Sequence, residues 1–181
     1  MTHGQARRFF IVCVVTGLVA VIDQATKVAA MTWLSTEQRI PLLGDFLGLT
    51  LAFNPGALLS LGSGVTGLLT LLGAGITVLL FVAALRTRTR SQAIGIGFLL
   101  GGAIGNLIDR VFAPPRVRPR YVTDFLAYGT WFIGNLADIA LGVGFVVIGV
   151  GAWLRRRSRN QAVSAAIEPR ATSPPNSGQR V

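Results

Sequence analysis

GGAIGNLIDR, residues 101 to 110, starts as a membrane helix would and ends in Asn106, Asp109 and Arg110. It closes an apolar run from about 93 to 112, roughly the 20 residues a helix needs to cross about 30 Å of hydrocarbon. Three further runs of this kind cover about 9 to 29, 65 to 85 and 132 to 154. A chain of 181 residues that is 51% hydrophobic and 13% charged is too apolar for a soluble domain of this size. The expected fold is therefore an all-α membrane protein with four transmembrane helices. Arg7 and Arg8 ahead of the first run also fit a cleaved signal peptide, with Val28-Ala29-Ala30 as the cleavage region. Against that reading, Asp23 and Lys27 sit where small neutral residues belong, and three more spans follow.

With the N-terminus in the cytoplasm, 11 of the 17 Lys and Arg residues fall on the inner side, the Arg155–Arg157 cluster among them as a topology anchor. Both termini are then cytoplasmic, and the two longer loops, 30 to 64 and 113 to 131, face outward. Arg116, Arg118 and Arg120 run against this assignment. Within the first outer loop, IPLLGDFLGLTLAFN (40 to 54) alternates larger and smaller residues over 46 to 53, which predicts a small β-rich extracytoplasmic element. From Ser158 to Val181 the chain is rich in Ser, Pro, Gln and Asn with little to bury. The expected organisation is a membrane domain over 1–157 and a disordered cytoplasmic tail over 158–181.

The formal charge of +10 raises nucleic acid as a partner, but the basic residues do not interleave with stacking aromatics, so no nucleic-acid surface is expected. Cys13 is the only cysteine and His3 the only histidine, which leaves neither a disulfide framework nor a metal-ligand set. No cofactor is expected. Gly97, Gly101 and Gly105 recur at four-residue spacing and predict close approach of a neighbouring helix.

The chain has only seven acids: Asp23, Glu37, Asp45, Asp109, Asp124, Asp138 and Glu168. Asp23, Asp109 and Asp138 lie in or at the end of predicted spans, where an ionised side chain costs several kcal/mol and usually faces a polar cavity. Asp23 and Lys27 are four apart on one helix face in the favourable order for an ion pair, which leaves a structural role and a site role both open. Asn106 and Asp109 share a face at three-residue spacing, and so do Asn135 and Asp138. Asp124, in the outer loop just before the last span, can converge with Asp138 at the outer membrane surface. Two such carboxylates suffice for amide hydrolysis, one drawing a proton from water while its protonated partner donates to the substrate. With no Ser-His, Cys-His or metal set in competition, the expected chemistry is aspartic.

Five blocks, DQATK (23 to 27), FNPGALLS (53 to 60), GGAIGNLIDR (101 to 110), VTDFL (122 to 126) and NLADIALGVG (135 to 144), together resemble the lipoprotein signal peptidases (signal peptidase II) of bacteria. The resemblance runs from Asp23 to Gly144. It implies a four-helix inner-membrane aspartyl peptidase that cuts a prolipoprotein signal peptide before a diacylglyceryl-modified cysteine. It also implies Asp124 and Asp138 as the catalytic pair, and prolipoproteins and membrane lipids as partners. Asn54, Gly56, Asn106, Asp109, Arg110 and Asn135 fall on motif positions that shape the site or hold substrate, and Asp23 and Lys27 match the first motif.

The chain departs from the family pattern at Leu58 and Leu59, where an Ala-Phe pair is usual, and at Gly134, where Phe usually precedes the asparagine. These changes touch the apolar wall more than the proton-transfer groups. The connection from Asp124 to Asp138 also looks short for the family. The alternative reading is a small proton-coupled membrane carrier using the same carboxylates. A relay would string acids across the membrane depth, whereas these cluster towards one interface. An inactive binding homologue would have lost a dyad acid, and both are present.

Overall fold

The computed structural model describes residues 2–56, 63–112 and 120–167. Four helices, α1 (His3–Trp33), α2 (Thr66–Leu85), α3 (Arg90–Val111) and α4 (Leu136–Ile167), are each long and apolar enough to cross a membrane. Their sequences explain where they start. Thr2 accepts a hydrogen bond from the Gln5 amide at 3.3 Å at the head of α1. Thr89 and Gln92 cap α3 reciprocally, each side chain accepting from the other's backbone N–H at 3.2 Å.

Helix α3 is the centre of the bundle, with α1, α2 and α4 all packed on it. A Cβ added at Gly101 would lie 2.6 Å from Val19 Cβ, and one at Gly97 would lie 2.7 Å from Val15 Cβ, so the glycine stripe is the seam with α1 as its spacing predicted. On its other side, Gly102 meets α4, where an added Cβ would come 2.6 Å from the Ala137 carbonyl oxygen. The apolar core is made of small or slender residues, Val12, Ala84, Ala93 and Leu100. Large side chains such as Leu71, Leu79 and Phe145 point outward, the arrangement expected when hydrocarbon is the solvent.

A four-stranded antiparallel sheet caps one end, in the order β1 (Ile40–Leu43), β2 (Leu47–Asn54), β3 (Val122–Tyr128), β4 (Phe132–Gly134). The strand expected within 46 to 53 is β2. Two sequence expectations are corrected here. The segment containing Asp124 is not a loop but strand β3, which pairs with β2 at Ala52↔Asp124 and Asn54↔Val122. Its Val122, Thr123 and Phe125 favour a strand, but the partner lies some 70 positions back along the chain. The last apolar run starts as β4 rather than helix over 132 to 134, and α4 begins only at Leu136 because Gly134 and Asn135 interrupt it.

The boundary of the tail also moves. Helix α4 continues through Arg155–Arg157 to Ile167, so residues 158 to 167 are helical. Arg, Gln and Ala in this stretch are strong helix formers, and no Gly or Pro intervenes before Pro169. Residues 168–181, Leu58, Leu59, Arg116 and Arg118 lie outside the described residues.

Candidate active site

The candidate site residues read from the sequence, Asp23, Lys27, Asn54, Gly56, Asn106, Asp109, Arg110, Asp124, Asn135 and Asp138, converge at the sheet end of the bundle. Lys27, 1% exposed, stands at the middle of a buried triad: its Nζ lies 2.8 Å from Asp23 Oδ2 and 3.1 Å from Asp109 Oδ2. It also donates to Asn106 Oδ1 at 3.0 Å. Each carboxylate of the triad reaches beyond it to a backbone N–H. Asp23 Oδ1 accepts from Ala137 at 2.9 Å, one residue before Asp138. Asp109 Oδ2 accepts from Thr123 at 2.9 Å, one residue before Asp124. A single ion triad thus joins the two backbone segments that carry the expected pair.

The start of α4 orients Asp138. Asn135 Oδ1 accepts from the Asp138 amide at 3.1 Å, and Asp138 Oδ2 accepts from the Asn135 amide at 3.2 Å, a reciprocal cap written in the sequence as Asn-x-x-Asp. Asp138 Oδ1 accepts from Asn106 Nδ2 at 3.2 Å. Because Asn106 Oδ1 already accepts from Lys27 and from Asn135 Nδ2 (3.1 Å), its amide can present only the nitrogen to Asp138.

Asp124, 2% exposed, is held through both oxygens: Asn135 Nδ2 donates to Oδ1 at 2.5 Å and Asn54 Nδ2 donates to Oδ2 at 3.0 Å. Burial first, and then the nearby Asp138 carboxylate, push the Asp124 carboxyl up to about 7, against the opposite pull of the two amide donors. Asn135 therefore bridges the two acids, touching Asp124 with its side chain and Asp138 through the cap.

Arg110 fastens the rim. Its Nη1 donates to the Arg120 carbonyl at 2.8 Å, and its Nη2 donates to the Gly56 carbonyl. The Gly56 amide in turn donates to Asn54 Oδ1 at 2.9 Å, which fixes the amide that Asn54 turns towards Asp124. Gln24 was not singled out from the sequence, although it lies inside DQATK. Its Nε2 donates to Asp109 Oδ1 at 2.9 Å and to the Gly105 carbonyl at 3.1 Å. A polar residue adjacent to Asp23 in an apolar run was the available signal.

Asp124 and Asp138 open onto one cleft of about 520 Å³. Its polar end holds Asn54, Asn106 and Asn135 beside the two acids, and its apolar wall is formed by Leu72 and Ile76 of α2 and Leu141 and Phe145 of α4. A second cavity, of about 460 Å³, lies against the sheet and is lined by Arg39, Thr50, Trp131 and Phe132 among others. Asn54, Asp124 and Ile133 line both, so Asp124 stands where the two meet. Among the described residues no group of His, Cys, Asp and Glu is arranged to hold a metal.

The family model described as signal peptidase (SPase) II matches residues 15–154. The chain belongs to the signal peptidase II family. The match takes in all or most of each helix and every block named above. The lipoprotein signal peptidase of Bifidobacterium longum (strain DJO10A) is 42% identical over 151 residues, 82% of each chain. That of Rhodococcus jostii (strain RHA1) is 35% identical over 148 residues, 82% of this chain and 73% of the relative. A solved bacterial membrane enzyme, obtained by the in meso method at 2.3 Å resolution, superposes with a TM-score of 0.70 at 25% identity, covering 82% of this chain and 90% of that one. This signal peptidase II is accordingly a multi-pass membrane protease, four helices with a small sheet at one end.

Proposed function

We propose that this peptidase removes the signal peptide from prolipoproteins, cutting before a diacylglyceryl-modified cysteine, and that Asp124 and Asp138 are its catalytic pair. The observation that carries this reading is the single cleft into which both acids open, polar at the acids and apolar between α2 and α4. Its apolar wall suits a hydrophobic signal segment and acyl chains that approach from the bilayer. The cavity against the sheet suits the mature chain beyond the scissile bond. The bond to be cut would then lie beside Asp124, at the junction of the two.

In the proposed reaction Asp138, as the carboxylate, takes a proton from a water molecule whose oxygen attacks the scissile carbonyl carbon. Asp124, holding its proton near neutral pH, donates it to the carbonyl oxygen and so prevents full negative charge from building there. Collapse of the tetrahedral intermediate breaks the C–N bond. The proton taken up by Asp138 passes to the leaving nitrogen, and Asp124 recovers its own from the hydroxyl that becomes the new carboxyl carbonyl. Asn106 and Asn135 hold the pair, Asn54 and Arg110 shape the rim, and the Asp23–Lys27–Asp109 triad holds the backbone beneath it.

In this reading the protein resides in the bacterial inner membrane with both termini cytoplasmic and the pair towards the outer face. The direct test is incubation of the purified protein with a lipidated prolipoprotein, followed by mass spectrometry of the products. Release of an intact signal peptide and a mature chain beginning at the lipidated cysteine is expected. Absence of cleavage, or cleavage elsewhere, would refute the assignment.

A further inference from the structure

At the end of the bundle remote from the two acids, Arg7 and Arg8 of α1 and Arg88 and Arg90 at the α2–α3 turn line a cavity of about 220 Å³ together with Gly4 and Ile11. Two hydrogen bonds clamp its walls together: Arg8 Nε donates to the Thr87 carbonyl at 2.9 Å and Gln5 Nε2 donates to the Leu85 carbonyl at 3.1 Å. A fifth arginine approaches the same turn, where Arg155 Nη1 donates to Ser91 Oγ at 3.0 Å and Thr89 Oγ1 at 3.3 Å.

Nothing described at this end offsets the charge. Both ion pairs among the described residues belong to Lys27 at the opposite end. Of the seven acids, six lie within 23 to 45 or 109 to 138, on the sheet side, and Glu168 is outside the described residues. Retention of positive charge on one membrane side requires only a count of basic residues, not their convergence from separate segments on one cavity. Here Gln5 and Arg8 tie α1 to the α2–α3 turn, so that four arginines from two separate segments line one cavity. Converging like charges repel, and they become favourable only around an anion. Guanidinium groups match phosphate oxygens in a bidentate manner. The cavity also lies at the ends of membrane-spanning helices, the depth at which phospholipid phosphates sit.

We propose that this arginine-lined cavity is a binding site for a phosphate group, that of an anionic phospholipid headgroup. The full-length protein would be purified in a mild detergent, where membrane orientation does not enter, and titrated separately with phosphatidylglycerol, phosphatidylcholine and inorganic phosphate. Native mass spectrometry would count retained lipid, and thermal unfolding would follow all three ligands. The wild-type protein should retain one phosphatidylglycerol in preference to phosphatidylcholine and unfold at higher temperature with it. Arg7→Gln combined with Arg88→Gln should weaken that retention about tenfold or more. Arg156→Gln combined with Arg157→Gln removes the same charge outside the cavity and should leave retention unchanged.

Equal weakening by both pairs would reduce the effect to net charge and overturn the site. So would equal retention of the two lipids by the wild-type protein, a comparison that needs no variant to fold. Protection by inorganic phosphate without lipid retention would reject the headgroup and identify a soluble phosphate as the occupant.

Discussion

Asp138 and Asp124, the proposed catalytic pair, are held in different ways, and the difference fits the roles proposed for them. Asp138 is the third residue of a capped helix and receives donors from Asn106 and the Asn135 backbone. Asp124 is buried on a strand between two asparagine amides, with its carboxyl raised to about 7. If one acid must be charged and the other neutral, Asp124→Asn and Asp138→Asn should each abolish release of the signal peptide while the protein still accumulates in membranes. Asp45→Asn, exposed and outside every motif, should cleave normally in the same assay. Wild-type cleavage by either dyad variant would sink the aspartyl mechanism. The pH profile follows from the raised carboxyl. Asp124 keeps its proton up to about pH 7 and loses it above, so kcat/KM should fall as pH rises through about 7. The full profile should be a bell whose limbs belong to the coupled pair rather than to either acid. A rate that stays flat from pH 6 to 9 would argue against Asp124 as the proton donor.

Between elements, the triad does the joining: Asp23 comes from α1, Lys27 lies one turn further along it, and Asp109 comes from α3. Their carboxylates also reach α4 at Ala137 and β3 at Thr123, so the separation of the two acids depends on helices α1 and α3, which carry neither. The i,i+4 spacing of Asp23 and Lys27 made an ion pair legible in the sequence, whereas its link to Ala137, 114 positions away, was not, because no local pattern encodes it. The same reason hid β3: its strand character depends on pairing with β2 rather than on an alternation of its own. Lys27→Met leaves two buried carboxylates without their cation and should cost roughly 3–5 kcal/mol of stability, read as a lower thermal midpoint. Because the triad contacts backbone and Asn106 rather than the cleft's apolar wall, kcat should drop far more than KM rises. Adding Asp23→Asn to Lys27→Met removes a charge of each sign and should recover part of the midpoint, yet kcat should stay low, since Asn106 keeps only the Asn135 donor and still lacks Lys27. Recovery of kcat along with stability would reduce the triad to a purely structural ion cluster.

Across the whole molecule, hydropathy alone predicted the four helices, because a bilayer requires long apolar runs whatever their neighbours. Helix ends were less legible: α1 and α4 extend beyond the apolar runs as amphipathic or polar helix, where length is governed by propensity and not by lipid. Asp23, Asp109 and Asp138 were readable because acids in apolar segments are costly enough to stand out, and Asn54, Gly56 and Arg110 through the family resemblance, while the backbone donors carry no mark in the sequence. The bundle is also polarised. The sheet, both dyad acids and the Lys27 triad occupy one end, while the start of α1, the α2–α3 turn and the Arg155–Arg157 stretch occupy the other. The start of α1, the α2–α3 turn and the last turns of α4 share one end of the bundle, and that end holds Arg7, Arg8, Arg86, Arg88, Arg90 and Arg155–Arg157. Positive charge is retained in the cytoplasm, so reporter fusions at residue 88 and after residue 160 should read as cytoplasmic, and a fusion at residue 45 as external. Alkaline phosphatase and a fluorescent protein that folds only inside give opposite signals at each position, so each site is read twice. External signal at residue 88 would invert the bundle, moving Asp124 and Asp138 to the cytoplasmic face, where a lipidated precursor that has already crossed the membrane could not reach them.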